Sequence, residues 1–227
     1  MNICCIIPAR GGSKGVVNKN LQEIAGKPLI AWSIEHALNA ARINAGVWVT
    51  SDSDAILDVA RQYGAATIKR PAALATDTAS SEAALEHALE SIQSSQPVDL
   101  VVFLQCTSPV RRTDDIDNAI ATLITEQADS LLSVTPLRDH FLWEQHGEEP
   151  PRPINYDFKN RKRRQELRET YLENGSIFIF KPGILLEEHN RLGGRIAMYK
   201  MDQVCSHQID DHDDLVLCEG LLKGLNF

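Results

Sequence analysis

Nowhere in the chain is there an apolar run approaching the roughly 20 residues that a bilayer-spanning helix needs, and no charged leader followed by an apolar stretch and a small-residue cleavage site stands at its start. Both absences point to a cytoplasmic protein. The dinucleotide fingerprint G-x-G-x-x-G and the P-loop pattern G-x-x-x-x-G-K-[ST] are missing, which argues against a nicotinamide-dependent Rossmann enzyme and a P-loop nucleotidase. Five cysteines are present, yet their spacings form no zinc pattern, so they read as buried free thiols in a reducing compartment. There is no internal repeat, no low-complexity tract and no recognisable Ser-His-Asp or Cys-His arrangement. Acidic pairs such as Glu187–Glu188 fall on an expected helix surface, so glycosidase-type carboxylate chemistry has no support. A net charge of -8 argues against nucleic acid as partner.

What remains is a regular alternation. Ile3–Pro8, Val47–Thr50, Ala66–Lys69, Leu100–Gln105 and Ser130–Thr135 are short apolar strands. Between them, helical periodicity marks segments from Pro28, over Asp54–Tyr63, over Ser80–Ile92 and over Thr113–Glu126. This β-α alternation predicts an α/β fold: a Rossmann-like three-layer domain with a mostly parallel sheet, covering residues 1–227. The pattern breaks after Pro136, where about 137–175 holds three prolines, mixed charge and little periodicity, too long for an ordinary loop. It is read as an inserted arm. Regularity returns with strands at Ser176–Phe180 and Ile196–Met201 and a closing helix at Asp213–Leu222.

Ligands of such sheets gather beyond the carboxyl ends of the strands. Just there stands "PARGGSKGVVNKN", whose glycines permit close backbone approach to an anion. Its Arg10, Lys14 and Lys19 together balance a triphosphate, Arg10 as a bidentate fork and the lysines as point charges. Arg70 follows a strand and suits either a surface salt bridge or a ligand contact. The hydroxyls from Thr78 to Ser81 suit either helix capping or ligand binding. Gln105, at a strand end in "LQCTSPVRR", both donates and accepts, as recognition of a base or sugar requires. In "HQIDDHDDL", Asp213 and Asp214 fit the positive end of a helix, whereas Asp210, read as lying just past a strand end, is the candidate Mg²⁺ ligand. His207 and His212 are read as surface residues.

The stretches "IIPARGGSKGVVNKN", "RPAALATDTASS", "LQCTSPVR", "RRQ…ENGSIFI" and "IDDHDDL" occur in one order across nearly the whole chain, and in this the sequence resembles the acylneuraminate cytidylyltransferases, the CMP–sialic acid synthetases. The resemblance implies a nucleotidyltransferase that joins CMP from CTP to the anomeric hydroxyl of a nonulosonic acid and releases pyrophosphate, with Mg²⁺ or Mn²⁺ as cofactor. Carried over by position, Arg10, Lys14 and Lys19 hold the triphosphate, and Asn20, Arg70 and Ser81 frame the cytidine. Gln105 and Asn174 contact the sugar acid, Asp210 binds the metal, and Arg10, Lys19 and Asp210 carry the catalysis. The arm becomes a dimerisation device of a homodimer, with Arg164 reaching the partner's sugar site. Two positions depart from the family pattern. Gln208 stands where an aspartate is common at the metal site, and Phe178 where a tyrosine often contacts substrate. Rival readings are a nucleotidyltransferase for another 2-keto-3-deoxy sugar acid such as Kdo, and a non-catalytic nucleotide-sugar sensor.

Overall fold

Short apolar strands that alternate with amphipathic helices bury their side chains only if both faces of the sheet are covered. The computed structural model, which describes residues 1–12, 15–137 and 140–224 and only the backbone of residue 164, has that layout. Its first half runs β1 (Ile3–Pro8), β2 (Glu23–Ile24), β3 (Lys27–Pro28), α1 (Leu29–Asn39), β4 (Val47–Ser51), α2 (Asp54–Gln62), β5 (Ala66–Lys69) and α3 (Ser81–Gln93). Then follow β6 (Leu100–Leu104), α4 (Asp115–Thr125), β7 (Ser130–Pro136), β8 (Trp143–Glu144), β9 (Arg152–Pro153), β10 (Tyr171–Phe180), α5 (Pro182–Glu188), β11 (Ile196–Lys200) and α6 (His212–Gly224).

Seven strands form the central sheet in the order β11-β7-β10-β6-β1-β4-β5, and only β10 pairs antiparallel with its neighbours. From β1 the chain first builds towards β4 and β5 and then returns to place β6 on the other side. That reversal opens a crevice at the carboxyl ends of β1 and β6. Side chains alternate along each strand. Cys5 and Ile7 of β1 therefore enter one core, with α1, α2, α4 and α6, while Cys4 and Ile6 enter the other, with α3 and α5. Leu85 and Leu89 of α3 are fully buried in that second core, each contributing about 1.5–3 kcal/mol of transfer free energy. All five cysteines are buried and unpaired, and no described helix is long and apolar enough to cross a membrane.

Two expected boundaries shift. The strand read at Ser176–Phe180 is the second half of a ten-residue β10, so the last residues assigned to the arm belong to the central sheet. The apolar pattern misses its first half because Tyr171–Glu173 is more exposed than the rest. Asp210 does not directly follow a strand either, because the 3-10 turn Gln203–Ser206 lies between it and β11. The described part of the arm holds the β8–β9 hairpin and an aromatic cluster, with Phe141 and Tyr156 rings 4.2 Å apart.

β10 changes register against β7 between Glu173 and Phe178. Asn174, Gly175 and Ser176 absorb the shift, with Gly175 at a φ of 60° that strongly favours glycine. Asn174 is wholly buried and holds this irregularity together. Its Oδ1 accepts from Ser133 Oγ (2.6 Å) and its Nδ2 donates to the Cys205 carbonyl (3.0 Å). The Asn174 carbonyl accepts from Ser108 Oγ at 3.3 Å. The side chain expected to contact the sugar acid is thus engaged in buried bonds within the protein and does not line the cleft at the strand ends. Removing the amide leaves buried groups unpaired, and we expect Asn174→Ala to lower the unfolding free energy by about 2–3 kcal/mol in urea titrations. A change below about 0.5 kcal/mol would show that the network does not support the sheet.

Candidate active site

Parallel strands that share a direction end on one rim, and here that rim carries the cleft. The cleft has a volume of about 470 Å³. Arg10, Lys19 and Asn20 reach it from the segment after β1, and Arg70 from the end of β5. Ser81 lines it from the first turn of α3, Gln105 from the end of β6, and Asp210 from the approach to α6. Residues separated by up to 200 positions thus converge as the sequence reading expected. Lys14 lies outside the described residues, as does the side chain of Arg164, whose backbone belongs to the turn Arg164–Glu166.

The segment after β1 is fastened at several points. Ala9 N–H donates to the Thr50 carbonyl (3.0 Å) and Gly11 N–H to Asp52 Oδ1 (3.0 Å), which ties the turn to the end of β4. The Asn20 amide donates to the Arg10 carbonyl at 3.1 Å and closes the loop on itself. Lys19 Nζ donates to the Ile209 carbonyl (2.6 Å) and lies 3.3 Å from Asp210 Oδ1. Ile209 N–H in turn donates to the Thr107 carbonyl at 2.8 Å, so the acidic segment is bound to both β1 and β6 loops. Gly15 is required by proximity: a Cβ there would stand 2.1 Å from the Asp210 carbonyl oxygen.

Two carboxylates that the sequence reading passed over complete the electrostatics. Asp77 accepts from Arg10 Nη1 at 2.9 Å, and Asp52 Oδ1 lies 3.8 Å from Arg70 Nη2. Asp52 follows a strand end, which was the available signal; Asp77 sits in a loop without periodicity and gave none. The Arg10–Asp77 pair is well exposed, and such pairs are worth about 0–1 kcal/mol. Arg70 is different. It is 6% exposed, and among the described residues neither its Nε nor its Nη2 has a hydrogen-bond partner. Burial pulls its pKa down, Asp52 opposes this, and Arg10 adds to it. A buried guanidinium with unpaired donors on a cleft wall is suited to an acceptor oxygen or nitrogen from water or from a ligand.

The hydroxyls before α3 divide by role. Both Ser80 and Ser81 line the cleft, but Ser80 Oγ accepts from Ala83 N–H (3.1 Å) and caps the helix. Asp214 is likewise a cap, since its Oδ2 accepts from the N–H groups of Asp210 (2.9 Å) and Asp211 (3.0 Å). Those bonds, the Asp210 N–H foremost, hold the Asp214 carboxyl below the usual range. Among the described residues no group of three or more His, Cys, Asp or Glu side chains stands ready for a metal. Asp210 alone offers a cleft-facing carboxylate at this corner, which fits Mg²⁺ of the kind that keeps waters and relies on substrate phosphates. Gln208 lies instead with Gln105 over Gly175, where a Cβ would stand 2.9 Å from Gln208 Nε2 and 2.6 Å from Gln105 Oε1. Phe178 is buried and stacks on Phe103 with centroids 5.5 Å apart; it is Phe103 that lines the cleft.

Comparison with known proteins agrees with this architecture. The family model described as cytidylyltransferase matches residues 4–189. The chain is 33% identical to the pseudaminic acid cytidylyltransferase of Campylobacter jejuni, over 98% of this chain and 97% of that one. It is also 33% identical to the N-acylneuraminate cytidylyltransferase of Oncorhynchus mykiss, over 96% of this chain but only 50% of that protein. The chain therefore spans about half the length of this and the Danio rerio relatives. Among solved structures, CMP:2-keto-3-deoxy-manno-octonic acid synthetase in complex with CTP superposes with a TM-score of 0.75 at 18% identity, covering 99% of both chains. The 4-diphosphocytidyl-2C-methyl-D-erythritol synthase of Anaerococcus prevotii follows the same fold, with a TM-score of 0.67 at 11% identity over 98% and 96% of the two chains. On the match over residues 4–189 and the full-length bacterial likeness, the chain belongs to the cytidylyltransferase family.

Proposed function

We propose that the protein transfers CMP from CTP to the anomeric hydroxyl of a nonulosonic acid of the sialic, legionaminic or pseudaminic type. The observation that carries this reading is the pairing of unsatisfied Arg70 with the cations Arg10 and Lys19 in one cleft of a cytidylyltransferase fold. Arg10 and Lys19, joined by Lys14 from the same segment, hold the triphosphate, exchanging Asp77 and Asp210 for phosphate oxygens. Asn20, Arg70 and Ser81 frame the cytidine, and Gln105 faces the sugar acid. The anomeric oxygen forms a bond to the α-phosphorus, the bond to the bridging α–β oxygen breaks, pyrophosphate leaves with that electron pair, and the hydroxyl proton passes to solvent. Positioning and charge neutralisation supply most of the acceleration in such transfers. Pyrophosphate release from CTP is expected with at least one acid in a panel of nonulosonic acids and Kdo. Arg10→Ala is expected to lower activity by more than about tenfold with the fold retained. Preference for Kdo would shift the substrate class, and CTP binding without turnover on any acid would favour a sensor.

Mg²⁺ or Mn²⁺ arriving with the nucleotide supplies further charge neutralisation when bound, and Asp210 is the residue that would hold it. Asp213, exposed in the first turn of α6, serves only as a contrast. Asp210→Asn is expected to reduce turnover and weaken Mn²⁺ binding to the CTP complex, followed by electron paramagnetic resonance, while Asp213→Asn changes neither. Equal, mild losses for both would mean that the acidic run is structural.

The assembly follows from the arm. Trp143 (48%), Ile154 (57%) and Phe158 (54%) remain exposed on it, a concentration of apolar surface that a single chain rarely leaves open. A second copy is the partner we infer, with Arg164 reaching its sugar site. Unpaired thiols on all five cysteines support a reducing, cytoplasmic setting. Sedimentation should return a homodimer, and Trp143→Ser with Phe158→Ser should shift it towards monomer. A fully active monomer of the native chain would end this reading.

A further inference from the structure

Arg111 is a charged side chain that the cleft does not use. It is fully buried, 0% exposed, and does not line the cleft. Burial lowers its pKa to about 10, so the guanidinium stays charged at neutral pH. Among the described residues none of its hydrogen bonds goes to a carboxylate, and its Nε is unpaired. Nη1 donates to Ser33 Oγ at 3.0 Å, and Nη2 donates to two main-chain carbonyls, Gln105 (2.8 Å) and Ser176 (2.9 Å). Ser33 Oγ also donates to the Gln105 carbonyl at 3.4 Å.

The position of these two carbonyls gives the contact its meaning. β6 and β10 pair up to Leu104↔Ile177. Gln105 and Ser176 are the next residue on each strand, where the chains diverge into the "QCTSP" turn and the β10 irregularity. Arg111 therefore bridges the two strands one step beyond their last pair, and replaces ladder bonds with charge-assisted ones. On the side towards the cleft, the same step carries Gly175 and the two amides of Gln105 and Gln208 seated over it. The spacing of the Gln105 and Ser176 carbonyls fixes where the Gln105 amide stands relative to Gly175.

We propose that Arg111 is a positioning residue for this end of the cleft. It pins the ends of β6 and β10 so that the Gln105 amide meets the acceptor in one orientation. The inference rests on the reading of Gln105 as the acceptor contact. It predicts an effect on the acceptor and not on the nucleotide, because Arg10, Lys19 and Arg70 are fastened to β1, β4 and the 209–210 segment, whereas Arg111 bonds to Ser33 and to the ends of β6 and β10.

The test uses the full chain with Arg111→Met and Arg111→Lys, and compares steady-state constants, calorimetric CTP affinity and amide hydrogen exchange. For Arg111→Met the KM for the sugar acid should rise by about tenfold or more, while CTP affinity stays within about threefold. Arg111→Lys should recover part of the loss, since an ammonium reaches one carbonyl but not the fork. Exchange should quicken at residues 104–108 and 174–177 and not along β1. If both substrates weaken together in step with a falling Tm, Arg111 is only a core residue and the proposal is overturned. Should Arg111→Met fail to fold, Ser33→Ala, which loosens the same guanidinium, must raise the acceptor KM selectively or the proposal fails. If the native chain turns over no sugar acid, the function reading falls, while unchanged exchange at 104–108 in Arg111→Lys would separately overturn the positioning role.

Discussion

A guanidinium cannot be carried into a protein interior without acceptors for its N–H groups, because stripping water from the charge costs several kcal/mol. Two arginines of this chain meet that constraint to different degrees. Arg111, 0% exposed, gives three hydrogen bonds from its two Nη atoms, to Ser33 Oγ and to the carbonyls of Gln105 and Ser176 at the ends of β6 and β10, while its Nε is unpaired among the described residues. Arg70, 6% exposed, has both Nε and Nη2 unpaired among the described residues, with Asp52 Oδ1 3.8 Å from Nη2. The first is held mainly by the fold, and the second lies on the cleft wall.

The cations nearer solvent obey a weaker rule. Arg10 is held by Asp77 in a contact that water already screens, and Lys19, though largely buried and bonded to the Ile209 carbonyl, meets an exposed Asp210. Such contacts keep the loop after β1 in place without making it hard to open. The firm fastenings are instead main-chain ones, such as Ala9 to Thr50 and Ile209 to Thr107. The loop's path is therefore set by backbone bonds and by Gly15 against Asp210, and its charged tips are left to exchange partners.

The departures from the family pattern take on physical form in this setting. Gln208 is drawn towards Gln105 and Gly175, which leaves Asp210 as the cleft-lining carboxylate of that corner. Phe178 has lost the hydroxyl a tyrosine would present and packs into the core between Phe103 and α5, with the Arg191 guanidinium 5.0 Å from both rings. The wall it shapes is made by Phe103.

Periodicity and turn chemistry in the sequence settle the strands, the helices and the parallel sense of the sheet, because burial on both faces leaves continuous apolar runs. They also point to the ends of β1, β5 and β6 as the places that carry the cleft-lining residues, since parallel strands place their carboxyl ends on one rim. Arg10, Lys19, Asn20, Arg70, Ser81, Gln105 and Asp210 were all legible in this way, through motif and position together. The buried hydrogen-bond networks of Asn174 and Arg111 are not legible in the same way, since whether a polar side chain faces a cleft or a carbonyl depends on what lies across the sheet. The antiparallel β10, its register shift at Gly175, the carboxylate Asp77 and the approach of Asp52 to Arg70 came only with the tertiary structure. Each depends on contacts between segments distant in sequence, such as the 66 residues that separate Arg10 from Thr76, and local pattern holds no record of these.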